Sequence, residues 1–180
     1  MPPFSPFPIL QTERLDLQPF GQEDKEALYF MRTDPRVNRY TNRPRPKDLE
    51  EVAAFIRKIK NGIANNEMIN WGIYLKGQSD LLGSVGYWKF NAERTGAHIG
   101  YELHPDHWGK GIMQEAYSAT LEYVQGPMAL QFIQAWVHPD NQSSIRFLER
   151  NDYQFIRRVP AGAEGDPTDM LVYEYLVRAS

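Results

Sequence analysis

The residues able to do chemistry concentrate between positions 97 and 123, AHIGYELHPDHWGKGIMQEAYSATLEY. Trp108-Gly109-Lys110-Gly111 joins a strand-like run to a segment carrying Met113, Ala116, Tyr117, Thr120, Leu121 and Val124 at helical spacing. A glycine-bearing connection into a helix N-terminus suits an anion. The first-turn N–H groups have no intrahelical partner, and the helix dipole adds positive potential. Gly109 and Gly111 let backbone approach the anion closely, and Lys110 adds charge. The spacing fits neither common nucleotide loop. The triphosphatase loop needs four residues between its glycines and then Lys-Ser/Thr, and the dinucleotide fingerprint needs glycine where Gln114 stands. On spacing alone, a ligand-free connection accounts for the two glycines equally well.

Other residue groups narrow the chemistry by exclusion. With no cysteine there is no disulfide, thiolate metal site or cysteine nucleophile. His104, Asp106, His107 and His138 fall on turns without a ligand pattern such as His-x-x-x-His, so they read as solvated turn residues and no metal is expected. Trp71, Trp88, Trp108 and Trp136 lie in or beside strand-like runs, which favours core packing over a nucleic-acid stacking surface. A net charge of −3 suggests neither nucleic acid nor an anionic membrane as partner. No apolar run approaches the roughly 18 residues that span a bilayer. The N-terminal MPPFSPFPIL, with four prolines and no basic region, reads as an extended lead-in over residues 1–11 and not as a signal peptide. The expected location is cytoplasmic.

The elements that must position these residues follow from periodicity and breakers. Alternation predicts a strand over residues 13–20, and helices follow at 22–33, ended by Asp34-Pro35, and at 47–63. Strands at 69–75, 81–90 and 96–103, joined by short polar turns, imply an antiparallel meander. The glycine loop and its helix come next, then a strand at 132–137. A helix over 142–149, capped by Asp140-Asn141, precedes the last strands at 153–159 and 170–177. Leu103-His104-Pro105-Asp106 and Val137-His138-Pro139-Asp140 are echoes, each ending a strand just before a helix. If their strands are parallel neighbours, both helix N-termini open on one edge, where ligands of such sheets collect. The expected architecture is a single α/β (α+β) domain over residues 1–180. It has a mixed, mostly antiparallel sheet of about seven strands with about four helices, in the order β-αα-βββ-α-β-α-ββ.

The run Gly100-Tyr101-Glu102-Leu103-His104-Pro105-Asp106-His107-Trp108-Gly109-Lys110-Gly111-Ile112-Met113-Gln114-Glu115-Ala116 resembles the signature of the GCN5-related N-acetyltransferases (GNAT). It is most similar to their ribosomal-protein-alanine acetyltransferase branch. Residues 138–149, HPDNQSSIRFLE, resemble that branch's second motif, and Glu13-Arg14-Leu15 and Leu82-Gly83-Ser84-Val85-Gly86 its other recurring pieces. The resemblance implies acetyl-CoA as co-substrate, with its pyrophosphate held by Trp108, Gly109, Lys110, Gly111, Ile112 and Met113. It also implies a Leu103 amide that polarises the thioester carbonyl, and Asn141 at the pantetheine arm. A donor placed like Leu103 is typically worth about 3 kcal/mol in the transition state. Departures from the general family pattern are Trp108 in place of Gln or Arg, Met113 in place of Gly or Ala, and Leu148 where many relatives carry a tyrosine acid. Tryptophan at 108 is nevertheless usual for the resembled branch.

The implied reaction is direct transfer of acetyl to a primary amine. An amine of lysine type has a pKa near 10.4, so a base or a water it positions must take a proton. The candidate bases are His98, placed slightly ahead, and Glu102. Alternation puts both with Gly100 on one strand face, opposite Ile99, Tyr101 and Leu103. Both also read as ordinary solvent-facing strand residues. Ser144 matches a serine proposed as proton donor in the resembled branch, and also suits a helix first turn; Tyr101 is a further donor or a core residue. Arg32, Arg36, Arg39 and Arg43, with residues 160–168, are expected acceptor-side walls. The acceptor is a small-molecule amine or a peptide N-terminus, and the protein a monomer or homodimer. The competing reading is a non-catalytic acyl-CoA sensor, for which Leu148 is the best support.

Overall fold

A computed structural model of the protein describes residues 4–177. Its strands are β1 (Leu10–Gln11), β2 (Leu15–Gln18), β3 (Met68–Leu75), β4 (Gly83–Trp88), β5 (Gly96–Leu103), β6 (Phe132–Val137), β7 (Gln154–Val159) and β8 (Met170–Leu176). Its helices are α1 (Lys25–Thr33), entered by a 310 turn at Gln22–Asp24, α2 (Leu49–Ala64), α3 (Ile112–Gln125) and α4 (Gln142–Arg150). The eight strands form one sheet in the order β1-β2-β3-β4-β5-β6-β8-β7. The expected order holds, and the added strand comes from the lead-in, where Leu10 pairs with Leu17. Residues 1–3 of that lead-in lie outside the described residues.

Side-chain alternation divides the sheet into two covered faces. On one, Ile69, Trp71, Ile73, Val85, Tyr87, Ala97, Ile99, Leu103, Ile133 and Val137 are buried with Ala116, Tyr117 and Val124 of α3 and Ile145 and Leu148 of α4. The other is covered over β3 by α1 and α2, whose Leu28, Met31, Val52, Ile56 and Ile59 pack with Tyr74 and Leu81. The α2 apolar stripe reads directly from the sequence, and Asp48 caps it by accepting the Glu51 N–H.

Among the described residues every strand pair is antiparallel except β5 with β6, and that exception opens a cleft. Their pairing covers only Gly96↔Phe132, Ala97↔Ile133 and His98↔Gln134. Beyond it β5 runs on through residues 99–103 and β6 through 135–137 without pairing to each other, so the sheet splits into a cleft. Apolar positions 133, 135 and 137 and 97, 99 and 103 sustain both strands on the covered face beyond the split.

Candidate active site

The cleft has a volume of about 1320 Å³ and is bounded by β5, β6, the loop into α3, the start of α4, and the segment from α1 to α2. Hydrogen-bond direction alternates along a strand. The His104 N–H donates to Leu82 O of the neighbouring hairpin, 2.7 Å away. The N–H and C=O of Leu103, and two residues earlier those of Tyr101, therefore point the other way, towards the parted β6. The Leu103 carbonyl accepts the Trp108 indole N–H at 2.8 Å. Its amide remains directed at the cleft. Trp108 thus departs from the core-packing expectation. It is 47 % exposed because its ring serves as a strut from loop to strand end.

The loop itself is shaped by two glycines and an uncapped helix start. Gly109 and Gly111 have φ of +72° and +75°, the left-handed region that side chains with a Cβ resist. Gly111 is the N-cap of α3 and supplies no side-chain cap, whereas Asp48 caps α2 and Asn141 caps α4. The leading amides of α3 are consequently unspent. A strap fixes the loop from beneath. Glu115 accepts from Thr12 Oγ1 (2.5 Å), Arg14 N (2.9 Å) and Arg14 Nε (2.6 Å), while Arg14 Nη1 donates to Lys110 O (3.1 Å). Burial raises the Glu115 carboxyl, but hydrogen bonds from Thr12 and Arg14 outweigh it and hold the group below its ordinary range. This brings Arg14 of the N-terminal piece to the glycine loop, about a hundred residues later.

The two sheet faces meet the cleft with different chemistry. On the α4 side, the Tyr101 hydroxyl and Ser144 Oγ are 2.6 Å apart, and burial pushes the Tyr101 phenol up to about 12. Ser144 N donates to Asn141 Oδ1 at 3.2 Å, so that face of Asn141 caps the helix. Leu148 is fully buried in the core. On the opposite face, Glu102 Oε2 lies 2.6 Å from Arg43 Nη2, an ion contact without hydrogen-bond geometry. His98 stacks on Trp136, with centroids 5.7 Å apart, and burial followed by Lys89 lowers its pKa. Alternation thus places His98 and Glu102 as expected. At about 3.3 Å per residue, however, His98 is roughly 16 Å along β5 from Leu103. His98 lines the same cleft at its paired end, whereas Glu102 adjoins the strand end.

Several surroundings were not legible beforehand. Gly100 separates His98 from Glu102 because Trp88 lies over it; a Cβ there would come within 2.2 Å of the indole. Asn70 lies across Gly86 in the same way. Both are cross-strand juxtapositions, invisible before register is known. Residues 160–168 do not line the cleft. They reach its wall through Asn42, whose amide donates to Asp166 Oδ1 (2.6 Å) and Thr168 Oγ1 (2.7 Å). His104 and His138 are only half-exposed, stacked on Phe30 and Tyr40, and each accepts the N–H two residues on through Nδ1. The echoed His-Pro-Asp strings are thus matching turn caps, and among the described residues no group of three or more His, Cys, Asp or Glu is placed to hold a metal.

Comparison with known proteins agrees with this geometry. Residues 14–154 match the family model described as the acetyltransferase (GNAT) domain. The uncharacterized N-acetyltransferase YoaA of Bacillus subtilis (strain 168) is 30% identical over 169 residues, covering 93% of this chain and 96% of that protein. An acetyltransferase (GNAT family) from Bacillus anthracis superposes with a TM-score of 0.78 at 26% identity, over 94% of this chain and 98% of that one. RimL, a ribosomal L7/L12 alpha-N-protein acetyltransferase in complex with coenzyme A, shares the fold with a TM-score of 0.84 at 17% identity, over 96% and 100% of the two chains. A sheet split at one parallel pair, an uncapped glycine-led helix beside the split and a match spanning most of the sequence have one explanation: the chain belongs to the GNAT acetyltransferase family.

Proposed function

We propose that the protein transfers acetyl from acetyl-CoA directly to a primary amine, within one domain, with the thioester lying in the split between β5 and β6. The observation that carries this reading is the pair of Tyr101 and Leu103 amides directed into the split beside the uncapped α3. Pyrophosphate suits residues 108–113, through the amides that lead α3 and the charge of Lys110. The pantetheine arm then runs along β5 as a substitute strand, with the NH2 group of Asn141 beside it. Coenzyme A in the RimL complex is that protein's ligand; here the donor set supports the same class of ligand.

The chemistry divides by face. Glu102 takes the ammonium proton, directly or through a water, as the amine approaches from the Arg43 side. The amides of the split then stabilise the tetrahedral oxyanion. On the other face, as the C–S bond breaks, the Ser144–Tyr101 hydroxyl pair donates a proton to the departing thiolate and regains one from water. The nitrogen's second surplus proton leaves to water. The pair offers a hydroxyl donor although Leu148 is not a tyrosine, which favours catalysis over a non-catalytic sensor. The test incubates the protein with acetyl-CoA and an amine panel, following thiol release and acetylated product by mass spectrometry. Stoichiometric thiol and N-acetyl product are expected. Coenzyme A binding without product on any amine would sink the reading.

A further inference from the structure

The acceptor side of the cleft has a charge pattern that the protein as a whole lacks. The chain carries a net −3, yet Arg32, Arg36, Arg39, Arg43 and Lys58 line this wall against the single carboxylate Glu102. Asp34 neutralises Arg36 at 2.6 Å, and Glu102 neutralises Arg43 at the same distance. Among the described residues no carboxylate pairs with Arg32. Its guanidinium lies 3.9 Å from the Phe55 ring centroid, and burial followed by Arg43 lowers its pKa. A half-buried guanidinium beside a second one, with the nearby Glu102 already paired to Arg43, suits a further anion.

The cleft also holds the described residues' three buried side-chain polar atoms without a hydrogen-bond partner: Asn70 Oδ1, Glu102 Oε2 and Trp136 Nε1. Such atoms are costly in a protein interior. Two of them are acceptors of the kind an amine needs: Asn70 Oδ1, and Glu102 Oε2, whose contact is the ion pair with Arg43. They share a face, because Asn70 pairs with Gly86, Gly86 with Gly100, and Ser84 with Glu102. Arg32 is close enough to Glu102 for the two charges to interact. Positions for an ammonium and for an anion therefore line the same cleft.

Building on the acetyltransferase reading, we propose that the acceptor is a small amine bearing a carboxylate or phosphate near its nitrogen, with Asn70 and Glu102 facing the amine and Arg32 the anion. Arg39 and Lys58 add field at the entrance, and the neutralised Arg43 steadies Glu102. Guanidinium binds either anion through paired charge-assisted hydrogen bonds, so the two sources share one chemistry.

The experiment measures kcat/KM with acetyl-CoA for β-alanine and O-phosphoethanolamine, against β-alanine amide, ethanolamine and a peptide with an uncharged N-terminal sequence. Wild type, Arg32→Met and Arg32→Lys are compared. Wild type is expected to prefer one anionic amine over its neutral counterpart by about tenfold or more. The two anionic probes separate carboxylate from phosphate. Arg32→Met should bring that ratio towards one through KM, with Arg32→Lys between, while the coenzyme A-induced rise in Tm confirms that each variant folds. Equal use of anionic and neutral amines, preference for the neutral peptide, or a ratio that survives Arg32→Met would overturn the proposal. If no amine is acetylated although coenzyme A binds, the acetyltransferase reading itself has failed, and this proposal falls with it.

Discussion

The reactive centre depends on which side chain meets the amine and which meets the thiolate. Glu102 sits one residue from the strand end, whereas His98 is stacked under Trp136 at the closed end of the split. Glu102→Gln is therefore expected to lower kcat by about 10²–10³, in the range of general-base loss, with coenzyme A affinity retained. His98→Ala should cost little in kcat. Its lowered pKa keeps the imidazole neutral above its ordinary value, so any acid limb that His98 imposed would lie below about pH 6.5. Comparing pH–rate profiles of wild type and His98→Ala checks this, and superposable limbs are expected. Ser144→Ala and Tyr101→Phe should each slow turnover, less together than their product, because the hydroxyls lie 2.6 Å apart and act as one relay. Strand parity already put His98 and Glu102 on one face. Choosing between them needed the point where β5 and β6 part, which is a property of pairing and not of either strand's own residues.

At the scale of elements, a glycine loop and an N-terminal strap share one job. A Cβ added at Gly109 would meet nothing within 4 Å, so only the positive φ opposes a side chain there. Gly109→Ala should cost about 1 kcal/mol in stability, measured by denaturant unfolding; a neutral result would mean the loop relaxes readily. The strap makes a pH-dependent contribution. The Glu115 carboxyl is lowered in the folded protein, so its contribution is present above the ordinary carboxylate pKa and lost as pH falls through the folded value. Asp34, lowered to about 2 by its hydrogen bonds from Arg36, acts in the same direction. Melting temperature should thus fall between about pH 5 and pH 2, and Glu115→Gln should flatten the upper part of that fall. Helix and strand positions were largely readable, since α2 and β6 carry clean periodicities. The strap was not: Thr12, Arg14 and Glu115 are ordinary polar residues until the fold brings them together.

For the whole molecule, cofactor binding and folding should be linked, because the loop proposed to take the anion is built only in the folded chain. Coenzyme A at a hundredfold over its Kd should add about 2.7 kcal/mol of stability, visible as a rise in Tm of several degrees. The acceptor wall and the cofactor loop belong to segments far apart in sequence, meeting only because one parallel pair interrupts an antiparallel sheet. That topology was legible as a condition, in the echoed His-Pro-Asp strings, and its consequence, the split, was not. The most direct test is a crystal structure with acetyl-CoA bound. The acetyl carbonyl oxygen should lie roughly 2.7–3.1 Å from the Tyr101 or Leu103 amide, with Glu102 on one side of the thioester and Ser144 on the other. An acetyl group outside the split, or one with both side chains on the same side, would rule out this mechanism.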